Sequence, residues 1–299
     1  MNTKSFIADP QANLTTIRDP MVVTVGNTYY LTGTQPPYWK GENAGVHLWS
    51  SEDLVHFTDH GLILRREDLP ASAWCRDRFW APELFVFGEG KYLLTFNCRN
   101  ESEEHPHPFG VGVAVAEDIR GPYRPVSVRE PVTDGIDGSF FRDDDGELYL
   151  CHNGDKVLYI EHIDPTDLTA KERIEVCRAG VEGEWDSIGV EGQCILKRHG
   201  IYFQWYSSWG DGPEGSYYRA GYLTAPSING PWTKPPTGPV ITANDEYTCC
   251  GHNHSFRGLD GKDYVVFHAI CRYDNPDDQR ERMYIREVEY RPDGTIVLK

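Results

Sequence analysis

The hydrophobic positions of this chain fall in short runs, and one phrase recurs five times: an apolar or aromatic run, a polar turn containing Gly, then a second run rich in aromatic and β-branched residues. The copies occupy residues 19–31, 81–94, 137–150, 191–203 and 252–266. A strand, a Gly-containing turn and a second strand is the signature of a β-hairpin. The tyrosines that follow the turns, Tyr30, Tyr92, Tyr149, Tyr202 and Tyr264, are 62, 57, 53 and 62 residues apart. That period accommodates four strands and their loops, which is one propeller blade. Further strand-like stretches lie between the copies, including 46–50, 111–115 and 217–224, and no window shows sustained helical periodicity with caps at both ends. A β-sandwich is the alternative, but five in-phase copies are hard to place on two sheets. The pattern predicts an all-β fold, a five-bladed β-propeller, in a single domain over residues 1–299.

In a propeller the first strand of each blade lines the central channel. The residues opening the copies, Asp19, Ala81, Asp137, Glu191 and His252, are therefore expected to converge at one end of the axis. Asp137, Glu191 and His252 each stand nine residues before their turn Gly, and Asp19 stands seven before. Three carboxylates and a histidine in one funnel have little structural purpose. Close carboxylates raise one another's pKa, which is how a general acid and a general base coexist near neutral pH.

The composition narrows the partners. With 46 acidic and 29 basic side chains among 299 residues, the net charge is −17, which argues against nucleic acid and against an anionic membrane surface. Aromatic residues make up 12%, which excludes disorder and suggests flat surfaces for stacking on a ligand. No run approaches the roughly 20 apolar residues of a membrane span. The first ten residues contain one Lys and no apolar stretch of leader length, so cytoplasmic residence is expected, or secretion if a leader has been removed. Cys98, Cys151, Cys194 and Cys271 sit in apolar runs as small hydrophobes do, which fits a reducing compartment. Cys249-Cys250 beside His252 and His254 suggests zinc only weakly, because vicinal cysteines do not easily both reach one tetrahedral ion. Asp143-Asp144-Asp145-Gly146 lacks the spaced ligands of a calcium loop and reads as a solvated turn. His105-Pro106-His107 lies in a polar stretch, 100–108, expected to be an exposed loop. Trp209 is expected either to line the funnel rim and meet substrate or to pack.

These residues resemble glycoside hydrolase family 43, the five-bladed propeller enzymes that cleave arabinose- or xylose-containing plant polysaccharides. The resemblance runs over about residues 14 to 290. Arg18-Asp19-Pro20 resembles the first-blade motif, which implies Asp19 as general base. Phe79-Trp80-Ala81-Pro82-Glu83-Leu84 is similar to the motif that walls the sugar pocket, with Trp80 against the substrate. Ile136-Asp137-Gly138-Ser139 resembles the motif whose Asp orients the acid and adjusts its pKa, and Val190-Glu191-Gly192 the motif carrying the general acid. Gly251-His252 is similar to the fifth-blade histidine near the axis, which implies a structural calcium ion reached mainly through water and no other cofactor. A substrate-binding arginine is implied in the last blade, with Arg280 and Arg282 both candidates. Gln193 and Gly138 stand where the family commonly has Pro. The second β-sandwich domain of the family's longer β-xylosidases is not expected.

What the resemblance implies is an inverting exo-glycosidase that removes a terminal pentose, α-L-arabinofuranose first, from plant-derived oligosaccharides or polysaccharides. A β-xylosidase or an exo-galactosidase-type activity is the nearest alternative. Related propeller enzymes acting on fructosides or transferring sugars to phosphate form a second class; the latter should need a basic cluster at the funnel. A sugar-binding propeller without catalysis is a third.

Overall fold

A computed structural model describes residues 6–101, 107–210, 217–272 and 280–299. Five antiparallel sheets follow one another along the chain, each in simple up-and-down order. The first blade contains β1 (Arg18–Val25), β2 (Thr28–Thr34), β3 (Gly45–Ser51) and β4 (Thr58–Arg65). The second contains β5 (Trp80–Gly88), β6 (Lys91–Asn100), β7 (His107–Ala116) and the short β8 (Arg124–Pro125). The third contains β9 (Ile136–Arg142), β10 (Leu148–Gly154), β11 (Val157–Ile163) and β12 (Ala170–Arg178). The fourth contains β13 (Gly189–Arg198), β14 (Ile201–Gly210) and β15 (Tyr217–Ala225), and the fifth β16 (Tyr247–Arg257), β17 (Asp263–Cys271), β18 (Glu281–Tyr290) and β19 (Ile296–Leu298). The all-β, five-bladed expectation holds, and all five repeat tyrosines lie on the second strand of a blade.

The blades are joined by apolar clusters, because each sheet has two faces to cover. Met21, Val46 and Leu48 of blade 1 pack against Leu84, Leu94 and Phe96 of blade 2. Leu93 and Val113 meet Leu148 and Leu150 of blade 3. Phe141 and Cys151 meet Ile195 and Tyr202 of blade 4, Phe203 and Trp205 meet Val265 and Phe267 of blade 5, and Val266 and Met283 return to Val22 and Leu31 of blade 1. Burial on both faces explains why the inner strands read as near-continuous apolar runs rather than alternating ones.

Three expectations change. Among the described residues blade 4 has three strands, with isolated bridges Thr224↔Thr233 and Ala220↔Ile241 where a fourth would lie. That segment holds Pro231, Pro235, Pro236 and Pro239, which cannot donate to a ladder. The Asp143 turn is not simply solvated: Asp143 is buried and accepts from the Tyr202 hydroxyl at 2.5 Å and Lys197 Nζ at 3.0 Å, tying blade 3 to blade 4. The 100–108 stretch is shorter as a loop than expected, since Asn100 ends β6 and His107 begins β7; His105 and Pro106 lie outside the described residues. All eight cysteines are free, with Cys98, Cys151, Cys194 and Cys271 buried.

The hairpin turns depend on backbone conformation alone. Gly200 has φ +76° and nothing within 4 Å of a would-be Cβ, so Gly200→Ala adds no clash and only strains the backbone. It is expected to lower unfolding free energy by about 1 kcal/mol, measured by denaturant titration.

Candidate active site

The first strand of every blade carries the same irregularity at its axial end. Pairing steps from Arg18↔Thr34 to Met21↔Thr32, from Trp80↔Asn97 to Glu83↔Thr95, and from Ile136↔Asn153 to Ser139↔Cys151. It steps likewise from Glu191↔Ser207 to Cys194↔Trp205 and from Gly251↔His268 to His254↔Val266. The inner strand thus carries one extra residue each time, a β-bulge of the kind that re-aims a side chain. One bulge residue per blade has positive φ: Asp19 (49°), Ala81 (40°), Asp137 (61°), Gly192 (60°) and His252 (46°). Four are not glycine, and a non-glycine residue held there costs about 1–3 kcal/mol.

This corrects the register read from spacing. In blade 4 the bulge position belongs to Gly192, and Glu191 stands one residue earlier, equivalent to Arg18 and Trp80. The reason is steric: a Cβ on Gly192 would lie 3.0–3.1 Å from His252 atoms, including its ring. The carboxylate is therefore carried on the preceding residue.

The bulge amides are satisfied from the neighbouring blade. The Asp19 amide donates to His268 Nδ1 at 3.0 Å, and the Ala81 amide to Thr34 Oγ1 at 2.7 Å. The Gly192 amide donates to Asp137 Oδ2 at 2.9 Å, and the His252 amide to Ser207 Oγ at 2.6 Å. Asn97 Nδ2 donates to Asp137 Oδ1 at 2.9 Å. Gln193, standing where Pro is common, donates its side-chain amide to the Asp137 carbonyl. Gly138, the other departure, has Val111 Cγ1 2.3 Å from where a Cβ would be.

The side chains open onto a cavity of about 290 Å³, at the small end of the roughly 300–1,000 Å³ usual for ligand pockets. Asp19, Asp137, Glu191 and His252 form its floor, and Trp80, Tyr38, Trp39 and Phe109 supply aromatic surface. Arg18, Arg78 and Arg99 also line it. Asp19 accepts from the Thr34 hydroxyl at 2.6 Å, and His252 Nδ1 lies 3.2 Å from Asp19 Oδ1 and 4.0 Å from Asp137 Oδ2.

Environment separates the carboxyl groups. Burial works against the Asp19 charge, but His252, Arg18, His268 and Thr34 outweigh it and hold its pKa at about 2. Asp137 goes the other way: burial raises it, His252 opposes, and the charges of Glu191 and Asp19 raise it further. His252 is buried, which disfavours its cation, yet Asp19, Asp137, Glu191 and Glu83 together raise its pKa. Beneath them Glu83 is pushed up to about 8 by burial, partly countered by a hydrogen bond from Ser139.

Of the expected substrate contacts, Trp80 lines the cavity, with its indole N–H donated to the Tyr38 carbonyl at 2.8 Å. Trp209 does not line it; its indole N–H lies 3.3 Å from Glu191 Oε1 and its ring stacks on Tyr218 at 4.5 Å, so it positions the glutamate. Arg280 and Arg282 do not line it either. Arg280 is exposed ahead of β18, and Arg282 is buried with its guanidinium 5.4 Å from the Phe6 ring centroid. Between them Glu281 pairs with Arg18 at 2.7 Å, and strand alternation sends Arg282 to the opposite face. The arginines that do line the cavity are Arg18, Arg78 and Arg99, and Arg18 was already in the first-blade motif. Sequence reading also missed Thr34, Asn97, Ser207 and His268, whose signal was a polar residue at the same place in each apolar second strand.

Calcium takes six to eight oxygens. His252 offers nitrogen already directed at Asp19, burial pushes Glu83 toward its neutral form, and no three His, Cys, Asp or Glu side chains among the described residues converge to hold a metal. The residues do not fit a direct calcium cage, so an ion there would have to be held through water.

The sequence profile of glycosyl hydrolases family 43 matches residues 14–296. The chain belongs to this family. It is a glycoside hydrolase by that membership. This family 43 enzyme is 30% identical to beta-D-galactofuranosidase xynD of Aspergillus niger over 94% of its own length and 80% of that protein's. It is 22% identical to the extracellular exo-alpha-(1->5)-L-arabinofuranosidase ArbA of Cellvibrio japonicus, covering 93% and 85%. Among solved structures, an endo-1,4-beta-xylanase from Bacteroides thetaiotaomicron superposes with TM-score 0.77 at 27% identity, covering 95% and 94%. No helix among the described residues is long and apolar enough to cross a membrane.

A neutral Glu83 has a measurable signature. Its pKa is about 8 in the folded chain against an ordinary 4.5, so between those values the unfolded state has lost a proton the native state keeps. Stability therefore falls as pH rises from about 5 to 8, by at most about 1.4 kcal/mol per pH unit from this group. Glu83→Gln is expected to flatten that decline, read by urea denaturation at a series of pH values; an unchanged slope would show Glu83 ionised.

Proposed function

We propose that this family 43 enzyme is an inverting exo-glycosidase that releases a terminal pentose, α-L-arabinofuranose first, from plant-derived oligosaccharides. The observation that carries the reading is that Asp19, held near pKa 2, opens with Glu191 and Asp137 onto one small aromatic-walled cavity. An always-ionised carboxylate suits a base, and a second carboxyl group on the same floor suits an acid. In this mechanism Glu191 gives its proton to the leaving oxygen as the glycosidic bond breaks. Asp19 takes a proton from the water that attacks the anomeric carbon from the other face. Inversion needs roughly 6.5–9.5 Å between those carboxyl groups to admit the water. Asp137, fixed by Asn97 and Gly192, holds Glu191 and a sugar hydroxyl in register. Trp80 covers the apolar face of the sugar, and Arg18 donates to it. The small cavity supports exo-action on a chain end.

The similarity to a beta-D-galactofuranosidase over 94% of the chain favours galactofuranose as the second reading, with β-xylose third. Eight free cysteines support a cytoplasmic location, where imported oligosaccharides would be the substrate. A calcium ion near His252 would be held through water, since the residues there offer no direct cage.

Nitrophenyl α-L-arabinofuranoside, β-D-galactofuranoside and β-D-xyloside should be compared with the matching oligosaccharides. The arabinofuranoside is expected to turn over fastest, with NMR showing the inverted anomer first. Asp19→Ala is expected to lower kcat/KM about 10²–10⁴-fold on all substrates. Glu191→Gln is expected to abolish oligosaccharide cleavage while sparing part of the nitrophenyl activity, because a good leaving group needs little protonation. Full activity in Asp19→Ala would remove it as the base.

A further inference from the structure

The cavity wall contributed by blade 2 has a chemistry that a neutral pentose does not use. Arg78 and Arg99 both line it. Arg78 is only 2% exposed, with Nη1 donating to the Gly41 carbonyl at 2.8 Å and Nη2 to Glu101 Oε1 at 2.6 Å. Arg99 pairs with the same Glu101 oxygen. The guanidiniums lie 5.2 and 6.0 Å from the Trp80 ring centroid, and Arg99 lies 5.2 Å from that of Phe109. Two like charges are thus held together over aromatic faces, with one carboxylate ion-paired to both. Among the described residues Asp77 is a second acid near this pair, and it accepts the Glu101 backbone amide. Burial and the Arg78 charge both work against the Arg99 cation. The Nε–H of each arginine is buried with no acceptor among the described residues.

Two cavity-lining guanidiniums that share one described carboxylate leave a net positive charge at this wall, and a guanidinium matches a carboxylate or phosphate. We propose that Arg78 and Arg99 form an oxyanion subsite in the substrate cavity, so that the preferred substrate carries a carboxylate, as on a uronic acid unit, or a phosphate. The assignment of a glycoside to this subsite rests on the glycosidase reading, but its anion chemistry does not. The floor adds a reason for order. Asp19, Asp137 and Glu191 repel an anion, so the charged group is held at the blade 2 wall and the neutral sugar goes to the floor. Arg18 is not part of the subsite, because Glu281 neutralises it.

The test compares kcat/KM for a neutral pentosyl disaccharide and for the same pentose linked to a uronic acid. The uronate substrate is expected to be favoured about tenfold, a preference that shrinks as NaCl is raised. In Arg99→Gln, at a side chain already 28% exposed, the uronate-to-neutral ratio is expected to fall about tenfold, with folding checked by thermal melt. Calorimetry of the wild-type protein with glucuronic acid, inorganic phosphate and glucose reads the subsite without turnover. Tighter glucuronic acid binding that Arg99→Gln removes supports the carboxylate, and tighter phosphate binding alone supports the phosphate. Arg99-dependent anion binding with no pentosyl glycoside cleaved would sink the exo-pentosidase reading and keep the subsite. Cleavage of the neutral disaccharide with no anion bound better than glucose would overturn the subsite and keep the enzyme.

Discussion

The site depends on one repeated constraint: a backbone bulge at the axial end of each inner strand, whose strained residue is held by a hydrogen bond from or to the next blade. Four non-glycine residues occupy the left-handed region there, a conformation that a strand would not adopt unaided. His268, Thr34, Asp137 and Ser207 each accept a bulge amide from the neighbouring blade. The same bonds that close the ring therefore aim the side chains. Asp19 and Asp137 face the cavity because the ring turns their backbones, and Gly192 is where the ring leaves no room for a side chain.

Electrostatics follows from that placement. Three carboxyl groups share one floor, and what distinguishes them is their company. Asp19 faces His252, Arg18 and Thr34 and remains an anion at low pH, whereas Asp137 is surrounded by burial and two other carboxylates. His252 stands between them and is held toward its cation by both. One cavity thus lowers the pKa of one carboxyl group and raises that of another, through the charges each faces. The pattern rests on packing: the groups that perturb Asp19 come from blades 1 and 5, and those that perturb Asp137 from blades 1, 4 and 5.

Around that floor the walls differ by blade. Blades 1 and 2 bring aromatic rings and arginines, while blade 4 backs Glu191 with Trp209 and Tyr218. Trp209 illustrates the division of labour, since it reaches the carboxyl group from behind and never meets the cavity. The cavity rim is thus built by loops and strand ends, at Arg18, Trp39, Arg78 and Arg99.

Much was legible from the chain alone. Five hairpin phrases with turn glycines and tyrosines at a blade-length period specify the propeller, because strand pairing within a blade is local and the turn glycines punctuate the apolar runs. The three acids, the histidine and Trp80 were legible because each opens a repeat or adjoins its opening. What only the tertiary structure decided depends on residues far apart in sequence. The Glu191 register turned on the His252 ring, 61 residues away, and the arginines lining the cavity are Arg18, paired with Glu281, and Arg78 and Arg99, paired with Glu101. Arg280 and Arg282 could not be separated by spacing, since strand direction at the start of β18 is set by the pairing with β17. Arg78 and Arg99 carry no periodic signal at all. Sequence spacing encodes the repeat, but charge proximity between blades exists only once the ring has closed.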